Sequence, residues 1–322
     1  MLTLPNDRPI TAEILPACLP ADGVGRIIGA LAHALPAIGA RLAAGKLPGN
    51  PAELVGNNES GDAQKALDVG AHDHILAELH GCGVRHLLSE EAEEVETLDP
   101  EGLYDIAIDP IDGSGSIGIG APLGMLFVIY PTGPRDFARR GSEAVAAGYA
   151  SFGHSLDFGY TTGQGVQIAT FDGQDFRMSA RDVTLKPTAS TIAYNASNER
   201  HWPAGLQAWA RDLRAGTDGP RGRDFNMRWL AAAVGELHRI LLKGGAFIYP
   251  ADRREGYRQG RLRLAYEAVP IALMIEAAGG RATDGTTRIL DLIPETPHQN
   301  VALAFGAPDE IDTIARYLRE ET

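Results

Sequence analysis

The sequence has little of what several classes of protein need. It holds two cysteines, Cys18 and Cys82, too few for a disulfide scaffold and at no metal-binding spacing. No apolar run approaches the roughly 20 residues of a membrane span. Residues Met1 to Pro20 lack the basic start and continuous apolar centre of a signal peptide. We therefore expect a cytoplasmic protein with no membrane partner.

Positive charge is also scarce. The chain carries 29 Lys and Arg against 42 Asp and Glu, for a formal net charge of −13. Such a surface repels nucleic acid and anionic membranes at long range, so we expect no nucleic-acid partner. If the ligand is a phosphate ester, cations must mediate its binding.

The apolar periodicity of the first half predicts a mixed α/β structure. The predicted helices span Asp22 to Leu42, with a kink at Pro36, and Ala63 to His80. The predicted strands are VRHLL, YDIAI, MLFVIY and an antiparallel meander between Ala144 and Phe171.

The second half follows a polar connector, Ser179 to Ser190. Its predicted helices run from Asn226 to Lys243, from near Glu267, and from Asp309. Its predicted strands are TIAYN, GAFIYP, RAT, ILDLI and VALAFG. We expect two mixed α/β domains, residues 1–190 and 191–322.

The segment YDIAIDPIDGSGSIGIG, Tyr104 to Gly120, allows two interpretations. Gly113, Gly115 and Gly118 form GxGxxG, the fingerprint of a dinucleotide site in an NAD-dependent oxidoreductase. That site must be electropositive, however, and Asp109 and Asp112 stand directly before the glycines. Two carboxylates across such a turn can instead share hard divalent cations, which prefer oxygen ligands. We favour a metal site whose glycine loop also receives a phosphate.

Further carboxylates stand where they could join this site. Glu90 and Glu91 follow the strand VRHLL, Asp62 and Asp68 flank the start of the second helix, and Glu267 begins another helix. Each also has an ordinary structural role open to it, as a helix cap, a first-turn charge or a solvated loop charge. Gathered in one place, they would need metal to neutralise their charge.

These motifs together resemble class I fructose-1,6-bisphosphatases, within the lithium-sensitive, metal-dependent sugar phosphatase superfamily. The resemblance runs from about Asn57 to Ile311. It is carried by GDAQKALD, LLSEE, DPIDGSGS, TTGQGVQ, NMRWLAAAVGELHRILLKGGAFIYPAD, GRLRLAYEAVPIALMIEAAGG and ILDLIPETPHQNV. DPIDGS occurs across the superfamily, including inositol monophosphatases, whereas the blocks after residue 225 resemble the fructose bisphosphatases specifically.

The resemblance implies an α/β protein with mixed sheets, layered as an α-β-α-β-α sandwich. It implies two or three Mg²⁺ ions per subunit, with Mn²⁺ able to substitute, and a homotetramer arranged as a dimer of dimers. The first domain would carry the metal cluster and an effector region, and the second the sugar and 6-phosphate site. The implied reaction is that of a phosphoric monoester hydrolase. It is hydrolysis of the 1-phosphate of fructose 1,6-bisphosphate, in gluconeogenesis or the Calvin cycle, with sedoheptulose 1,7-bisphosphate as a further substrate.

The resemblance also implies roles for individual residues. The implied metal ligands are Glu90, Asp109, Asp112, Glu267 and the carbonyl of Ile111. The residues implied to bind a further ion and act on the attacking water or its proton are Asp68, Glu91 and, on the proton path, Asp62. The implied 1-phosphate cradle is Asp112, Gly113, Ser114 and Gly115. The implied 6-phosphate and sugar contacts are Asn195, Tyr249, Arg261 and Arg228, the last reaching a neighbouring subunit.

The chain departs from the family pattern at several positions. The family's DGSSNID stands here as DGSGSIG, which removes side-chain hydrogen bonds from the loop but leaves its backbone N–H groups. Arg261 replaces a lysine and keeps its charge. Leu103 stands where animal members carry a lysine for AMP, which argues against AMP inhibition of the animal type. The alternatives are an inositol or nucleotide monophosphatase, the NAD-dependent oxidoreductase, and a non-catalytic carbohydrate- or cation-binding protein.

Overall fold

The computed structural model describes residues 10–57 and 63–320. Six α-helices lie within these residues: α1 Gly23–Ala43, α2 Ala66–Leu79, α3 Ala204–Ala215, α4 Ala233–Lys243, α5 Val269–Ala277 and α6 Pro308–Arg319. The first ten strands are β1 Leu54–Asn57, β2 Ala63–Lys65, β3 Val84–Ser89, β4 Glu96–Thr97, β5 Tyr104–Asp112, β6 Leu123–Pro131, β7 Ala146–Phe152, β8 Leu156–Thr161, β9 Gln167–Phe171 and β10 Phe176–Ala180. The remaining strands are β11 Thr191–Ala193, β12 Asn226–Met227, β13 Ala246–Tyr249, β14 Leu262–Arg263, β15 Arg281–Thr283, β16 Asn300–Val301 and β17 Leu303–Gly306.

Two sheets organise the molecule. The larger has eight strands in the order β10-β9-β8-β7-β6-β5-β3-β4, all antiparallel except the β3–β5 pair. The smaller has five strands in the order β12-β11-β13-β17-β15, with β12, β11 and β13 parallel. Two short ribbons, β1–β2 and β14–β16, lie outside them.

Three separate cores show that helices and sheets alternate in layers. One core packs α1 and α2 against one face of the large sheet, through side chains such as Ile28, Leu31, Ile75, Ile106 and Phe127. Another packs α4 and α5 between the opposite face of that sheet and the small sheet, through Leu126, Val128, Leu237, Ile271 and Phe305. The third packs α3 and α6 on the outer face of the small sheet, through Ile192, Trp209, Ile248 and Ile311. The expected α-β-α-β-α arrangement of mixed sheets is therefore confirmed.

Helix α1 is long and apolar enough to cross a membrane, with 21 residues and a mean hydropathy of 1.3. Half of its most apolar stretch is buried inside the protein, against α2 and the large sheet. Asp22 caps its start as expected, with Oδ1 accepting a hydrogen bond from the Gly25 N–H at 3.0 Å. The helix continues without a break through Pro36. Its apolar face is thus used as a core face.

Two helix boundaries and one predicted strand differ from the sequence expectation. The second helix begins at Ala66, because Ala63–Lys65 pairs with β1 as a strand. The predicted helix from Asn226 to Lys243 is helical only from Ala233, because the carboxylate of Asp112 caps the helix there. ILDLI is not a strand, since Ile289–Asp291 forms a 3₁₀ turn whose Ile289 and Leu290 are buried in the central core. Helix α3 was not expected, although Leu206, Trp209 and Leu213 recur at helical spacing.

Candidate active site

A bulge in β5 brings Asp109 and Asp112 to the same side of the sheet. Residues three apart on a regular strand point to opposite faces. Here Asp109 pairs with Leu126 and Asp112 with Gly124, so three steps along β5 match only two along β6. The extra residue turns both carboxylates the same way. Ile111, between them, donates its N–H to Asp109 Oδ1 at 2.9 Å.

Glu267 approaches these aspartates from a different part of the chain. It lies in a π-helical turn, Leu264–Ala268, that precedes α5, and its Oε2 accepts a hydrogen bond from the Arg263 N–H. Ligand oxygens of Asp109, Asp112 and Glu267 all lie within 4.8 Å of one another, and all three residues are buried. Such π-turns are frequent at functional sites, because they widen a helix locally and redirect its side chains.

Glu90 joins this group through the parallel pairing of β3 with β5. Ser89 pairs with Ile108, and the Glu90 N–H donates to the Ile108 carbonyl at 3.1 Å. Glu90, which follows β3, therefore lies next to Asp109, which follows Ile108 in β5. The carboxyl group of Glu90 lies close enough to that of Asp109 for each to affect the pKa of the other. We call Glu90, Asp109, Asp112 and Glu267 the acidic cluster.

Asp68 and Glu91 form an acidic pair next to this cluster. Asp68 is buried in the first turn of α2, where Oδ2 accepts from the Lys65 N–H at 3.3 Å and Oδ1 has no hydrogen-bond partner among the described residues. Glu91 accepts from the Gln64 amide at 3.1 Å, and its charge acts on both Asp68 and Glu90. The third predicted acid of this group, Asp62, lies outside the described residues.

Burial and mutual repulsion raise the pKa values of these carboxyl groups above their ordinary range. Burial raises the pKa of Asp68 to about 7, with a further upward contribution from Glu91. Burial likewise raises the pKa of Glu90 to about 7, and the negative charge of Glu91 adds to the rise. The pKa values of Asp109 and Glu267 lie well above the usual range, because both are buried and both face Glu90 and Asp112.

Asp112 is stabilised differently from its neighbours. Its Oδ2 accepts a hydrogen bond of 2.6 Å from the Val234 N–H, at the start of α4. Backbone N–H groups of Val234, Gly113 and Ala233 lower the pKa of Asp112, although burial outweighs them and the pKa rises to about 6. Ala232, the residue before α4, supplies no side-chain cap. The carboxylate of Asp112 therefore caps α4 from a distant part of the chain.

The chemistry of the acidic cluster fits divalent cations. Asp109 Oδ2 is buried without a hydrogen-bond partner within the described residues, in a carboxyl group that lies beside those of Asp112 and Glu267. Buried like charges at this spacing are strongly unfavourable unless they are protonated or share a cation. Carboxylate oxygens are the ligands that Mg²⁺ prefers. Of the predicted ligands, the structure brings Glu90, Asp109, Asp112 and Glu267 together.

The loop after Asp112 has the form of an anion cradle. Gly113 has a φ of +82°, and a Cβ there would lie 2.7 Å from the Ala232 Cβ, so glycine is required on both counts. Ser114–Ser116 then forms a single 3₁₀ turn, and Gly115 is exposed. We call Gly113–Ser116 the phosphate loop. The Lys65 ammonium donates to the Ser114 carbonyl and fixes this loop to the start of α2, a contact that the sequence interpretation missed.

The dinucleotide interpretation of the same glycines is wrong. It requires a helix directly after the strand, as part of a βαβ unit. In the structure one 3₁₀ turn follows β5, and the chain returns as the antiparallel strand β6.

Three of the predicted sugar and 6-phosphate residues lie at the carboxyl ends of the parallel strands of the small sheet. Ala193 of β11 pairs in parallel with Phe247 of β13, so Asn195 and Tyr249, each two residues further on, lie at matching positions. Arg228 follows the carboxyl end of β12, and its backbone N–H donates to the Ile192 carbonyl at 3.0 Å. Asn195 caps the turn Ala196–His201 through a 3.1 Å bond from the Ser197 N–H.

Arg261 completes this group and links it to the acidic cluster through the chain. Burial raises the pKa of Tyr249, with Tyr257 adding to the rise and the positive charge of Arg261 opposing it. The short strand β14 follows Arg261 directly and leads into the turn that carries Glu267. We call Asn195, Arg228, Tyr249 and Arg261 the distal group.

Comparison with protein-family models gives two matches. The model described as "Fructose-1-6-bisphosphatase, N-terminal domain" matches residues 29–178. The model described as "Fructose-1-6-bisphosphatase, C-terminal domain" matches residues 185–319.

Curated relatives and a solved structure agree with these matches. The chain is 50% identical over 280 residues to a class 1 fructose-1,6-bisphosphatase of Brucella anthropi, covering 86% of this chain and 82% of the relative. It is 47% identical over 314 residues to one of Brucella suis, covering 96% of this chain and 88% of the relative. The fold matches that of Leishmania major fructose-1,6-bisphosphatase, crystallised in holo form, with a TM-score of 0.89 and 26% identity over 96% of this chain and 100% of the other.

Proposed function

This chain belongs to the fructose-1,6-bisphosphatase family, and from that premise we propose that its acidic cluster serves the Mg²⁺-dependent hydrolysis of a sugar 1-phosphate. It is a phosphoric monoester hydrolase that converts fructose 1,6-bisphosphate to fructose 6-phosphate and inorganic phosphate. The observation that carries the proposal is the convergence of Asp109, Asp112 and Glu267, buried and within 4.8 Å of one another.

The size of the required acceleration favours a metal-based mechanism. Enzymes that act on phosphate monoesters can accelerate the reaction by up to about 10²¹. A general base contributes only about 10² to 10⁴. Positioning and charge stabilisation must supply the rest.

We assign the metal-binding role to the acidic cluster, with the carbonyl of Ile111 as a further ligand. Divalent cations held there would lower the pKa of a water and neutralise charge on the transferred phosphoryl group. Asp68 and Glu91 stand beside the cluster, and we propose that they help to bind a further ion and orient the attacking water. A pKa near 7 suits Asp68 for accepting a proton close to neutral pH. Asp62 we assign to the path of that proton.

The phosphate loop is proposed to receive the 1-phosphate through its backbone N–H groups, together with Asp112. Lys65 supports this role, because its bond to the Ser114 carbonyl restrains the loop. The distal group is proposed to bind the sugar and the 6-phosphate. Within the described part of the chain, no carboxylate forms an ion pair with Arg261 or Arg228, so both guanidinium groups are available to an anion.

These two unpaired arginines favour a bisphosphate over an inositol or nucleotide monoester, since a substrate with one phosphate has no use for a distal cation. We propose sedoheptulose 1,7-bisphosphate as a second substrate, because it too has a phosphate at each end. From the resemblance we further propose a cytoplasmic homotetramer in which Arg228 reaches the 6-phosphate of a neighbouring subunit.

The test is phosphate release from a panel of sugar mono- and bisphosphates, with Mg²⁺, with Mn²⁺, and with a chelator. We expect turnover of fructose 1,6-bisphosphate that stops with chelator and returns when either metal is added in excess. Turnover that persists after exhaustive chelation would exclude the metal role. A preference for monoesters would favour the monophosphatase alternative, and sedimentation of the same sample would test the tetramer.

A further inference from the structure

The segment from Asp252 to Arg261, which we call the arginine loop, concentrates positive charge in a chain whose net charge is −13. It contains four arginines, at positions 253, 254, 258 and 261. Among the described residues, only Arg254 of the four forms an ion pair, with Asp252. The loop therefore presents more positive charge than its own carboxylates neutralise.

Backbone hydrogen bonds fold this loop around Tyr257. The Tyr257 carbonyl accepts from the N–H groups of Asp252 and Gly260, both at 3.0 Å. The Tyr257 N–H donates to the Arg254 carbonyl at 3.1 Å. The Arg253 N–H donates to the His201 carbonyl at 3.3 Å, which joins the loop to the turn that Asn195 caps. The ring of Tyr257 is thus carried by a fixed backbone.

Two guanidinium groups lie against this ring. The Arg254 Cζ is 4.0 Å from the ring centroid, and the Arg261 Cζ is 5.0 Å from it. Both distances are within the range of an attractive cation–π contact. The two positive charges are therefore at most about 9 Å apart, on one aromatic side chain.

The two arginines are not equivalent. Asp252 holds Arg254 through its Nε and Nη2, with 3.0 Å from Nε to Oδ1, which fixes the guanidinium plane. Arg261 is exposed and has no carboxylate partner among the described residues. The Tyr257 ring restrains Arg261, whose side chain would otherwise lose considerable entropy on binding a phosphate.

We propose that Tyr257 is a positioning residue that selects substrates with a distal phosphate, by holding the Arg261 guanidinium where that phosphate binds, with Arg254 as a second positive charge beside it. The inference rests on the proposed function of the distal group and deepens it. Tyr257 acts through Arg261 and has no contact with the reacting phosphate. Its loss should therefore weaken binding of the distal phosphate and leave the chemical step unchanged.

Three variants and two substrates test this inference. Tyr257→Leu removes the aromatic face, Tyr257→Phe keeps it, and Arg254→Gln removes the second charge. Fructose 1,6-bisphosphate and fructose 1-phosphate share the reacting phosphate, and only the first has a distal one. For the bisphosphate we expect KM to rise about tenfold in Tyr257→Leu and about threefold in Arg254→Gln, with kcat little changed. Activity on fructose 1-phosphate should stay within about twofold, and Tyr257→Phe should match the wild type on both substrates.

Equilibrium binding of fructose 6-phosphate, measured by calorimetry, gives a readout that does not require catalysis. We expect Kd to rise about tenfold in Tyr257→Leu and to be unchanged in Tyr257→Phe. The inference is overturned if Tyr257→Leu leaves both KM and this Kd unchanged, or if it impairs the two substrates equally. If the wild type binds fructose 6-phosphate but releases no phosphate from the bisphosphate, the proposed catalytic function fails, while the binding comparison still decides the role of Tyr257.

Discussion

The acidic cluster and the arginine loop lie at the two ends of the proposed substrate site and differ in charge and in burial. Three members of the acidic cluster, Asp109, Asp112 and Glu267, are buried close together, so under the proposed function they depend on a cation to remain ionised. The arginine loop is largely exposed and keeps its charge without help, so it depends on contacts that reduce the freedom of long side chains. Under the proposed function, the acidic end therefore needs a neutralising ion, whereas the arginine end needs oriented side chains.

We expect the largest effect when one charge is removed from the acidic cluster. Asp112→Asn should lower kcat by at least about a hundredfold, because it removes both a metal ligand and stabilisation of the transferred charge. Phosphate release under saturating bisphosphate measures it. Asp218→Asn is the matched control, since Asp218 is exposed and outside the site, and it should retain full activity. Comparable losses in the two variants would remove the case for a special role of Asp112.

The corresponding change at the other end should act on binding. Arg261→Gln should raise KM for fructose 1,6-bisphosphate by about ten- to thirtyfold, because a charge-assisted bond to phosphate is lost while the reacting end is untouched. Arg261→Lys should recover part of this loss, because it restores the charge without the planar fork. Steady-state kinetics decide the matter, with Arg281→Gln as an exposed arginine control. A fall in kcat with an unchanged KM would contradict the assignment.

The stability of the metal-free protein should depend on pH, because of the buried carboxyl groups at the acidic end. The pKa values of Asp68 and Glu90 rise on folding to about 7, and that of Asp112 to about 6, so folding favours their protonated forms. This stability is present below the unfolded pKa values near 4 and is lost as the pH rises toward 7. In chelator, Tm should therefore be lower at about pH 8 than at about pH 5.5, by about 5 °C.

Excess Mg²⁺ should abolish that difference in Tm. Asp109→Asn should raise the Tm of the chelated protein at high pH while it abolishes activity, because it removes a buried charge and a metal ligand together. Differential scanning calorimetry measures both. A chelated protein whose Tm does not depend on pH would mean that the cluster is already neutral without metal.

The smallest effect is expected at the junction of the phosphate loop with α2. Lys65→Met removes the hydrogen bond to the Ser114 carbonyl and should lower kcat/KM by about three- to fivefold, because the loop is less restrained when the phosphate arrives. Lys186→Met, at an exposed position elsewhere, is the control. An unchanged kcat/KM would mean that the backbone of the loop holds its own shape.

Much of the fold could be predicted from local pattern, and the site in part. Strand β5 could be recognised because YDIAI is apolar and Pro110 and Gly113 follow it, and Glu90 could be placed at a strand end. The bulge that turns Asp109 and Asp112 to one side could not, since it depends on how β5 pairs with β6. The arginine loop escaped notice for a similar reason, because nothing local links Tyr257 to Arg261 rather than to solvent.

The start of α4 shows most clearly where sequence reasoning stops. Helices are usually recognised at their start by a Ser, Thr, Asp or Asn. Here that position holds Ala232, and the cap is Asp112, 122 residues away from Val234 in the chain. A helix boundary that depends on a tertiary contact has no local sequence signal, so the expected helix was extended back to Asn226.

The double use of Asp112 has a mechanical consequence. Helix α4 fills the space between the two sheets, and one oxygen of Asp112 is tied to its first turn. If Asp112 binds a cation as proposed, sliding of one sheet over the other would displace that oxygen and change the geometry of the cation site. We therefore expect that a substitution in the packing between the two sheets can lower the catalytic rate without contacting the substrate.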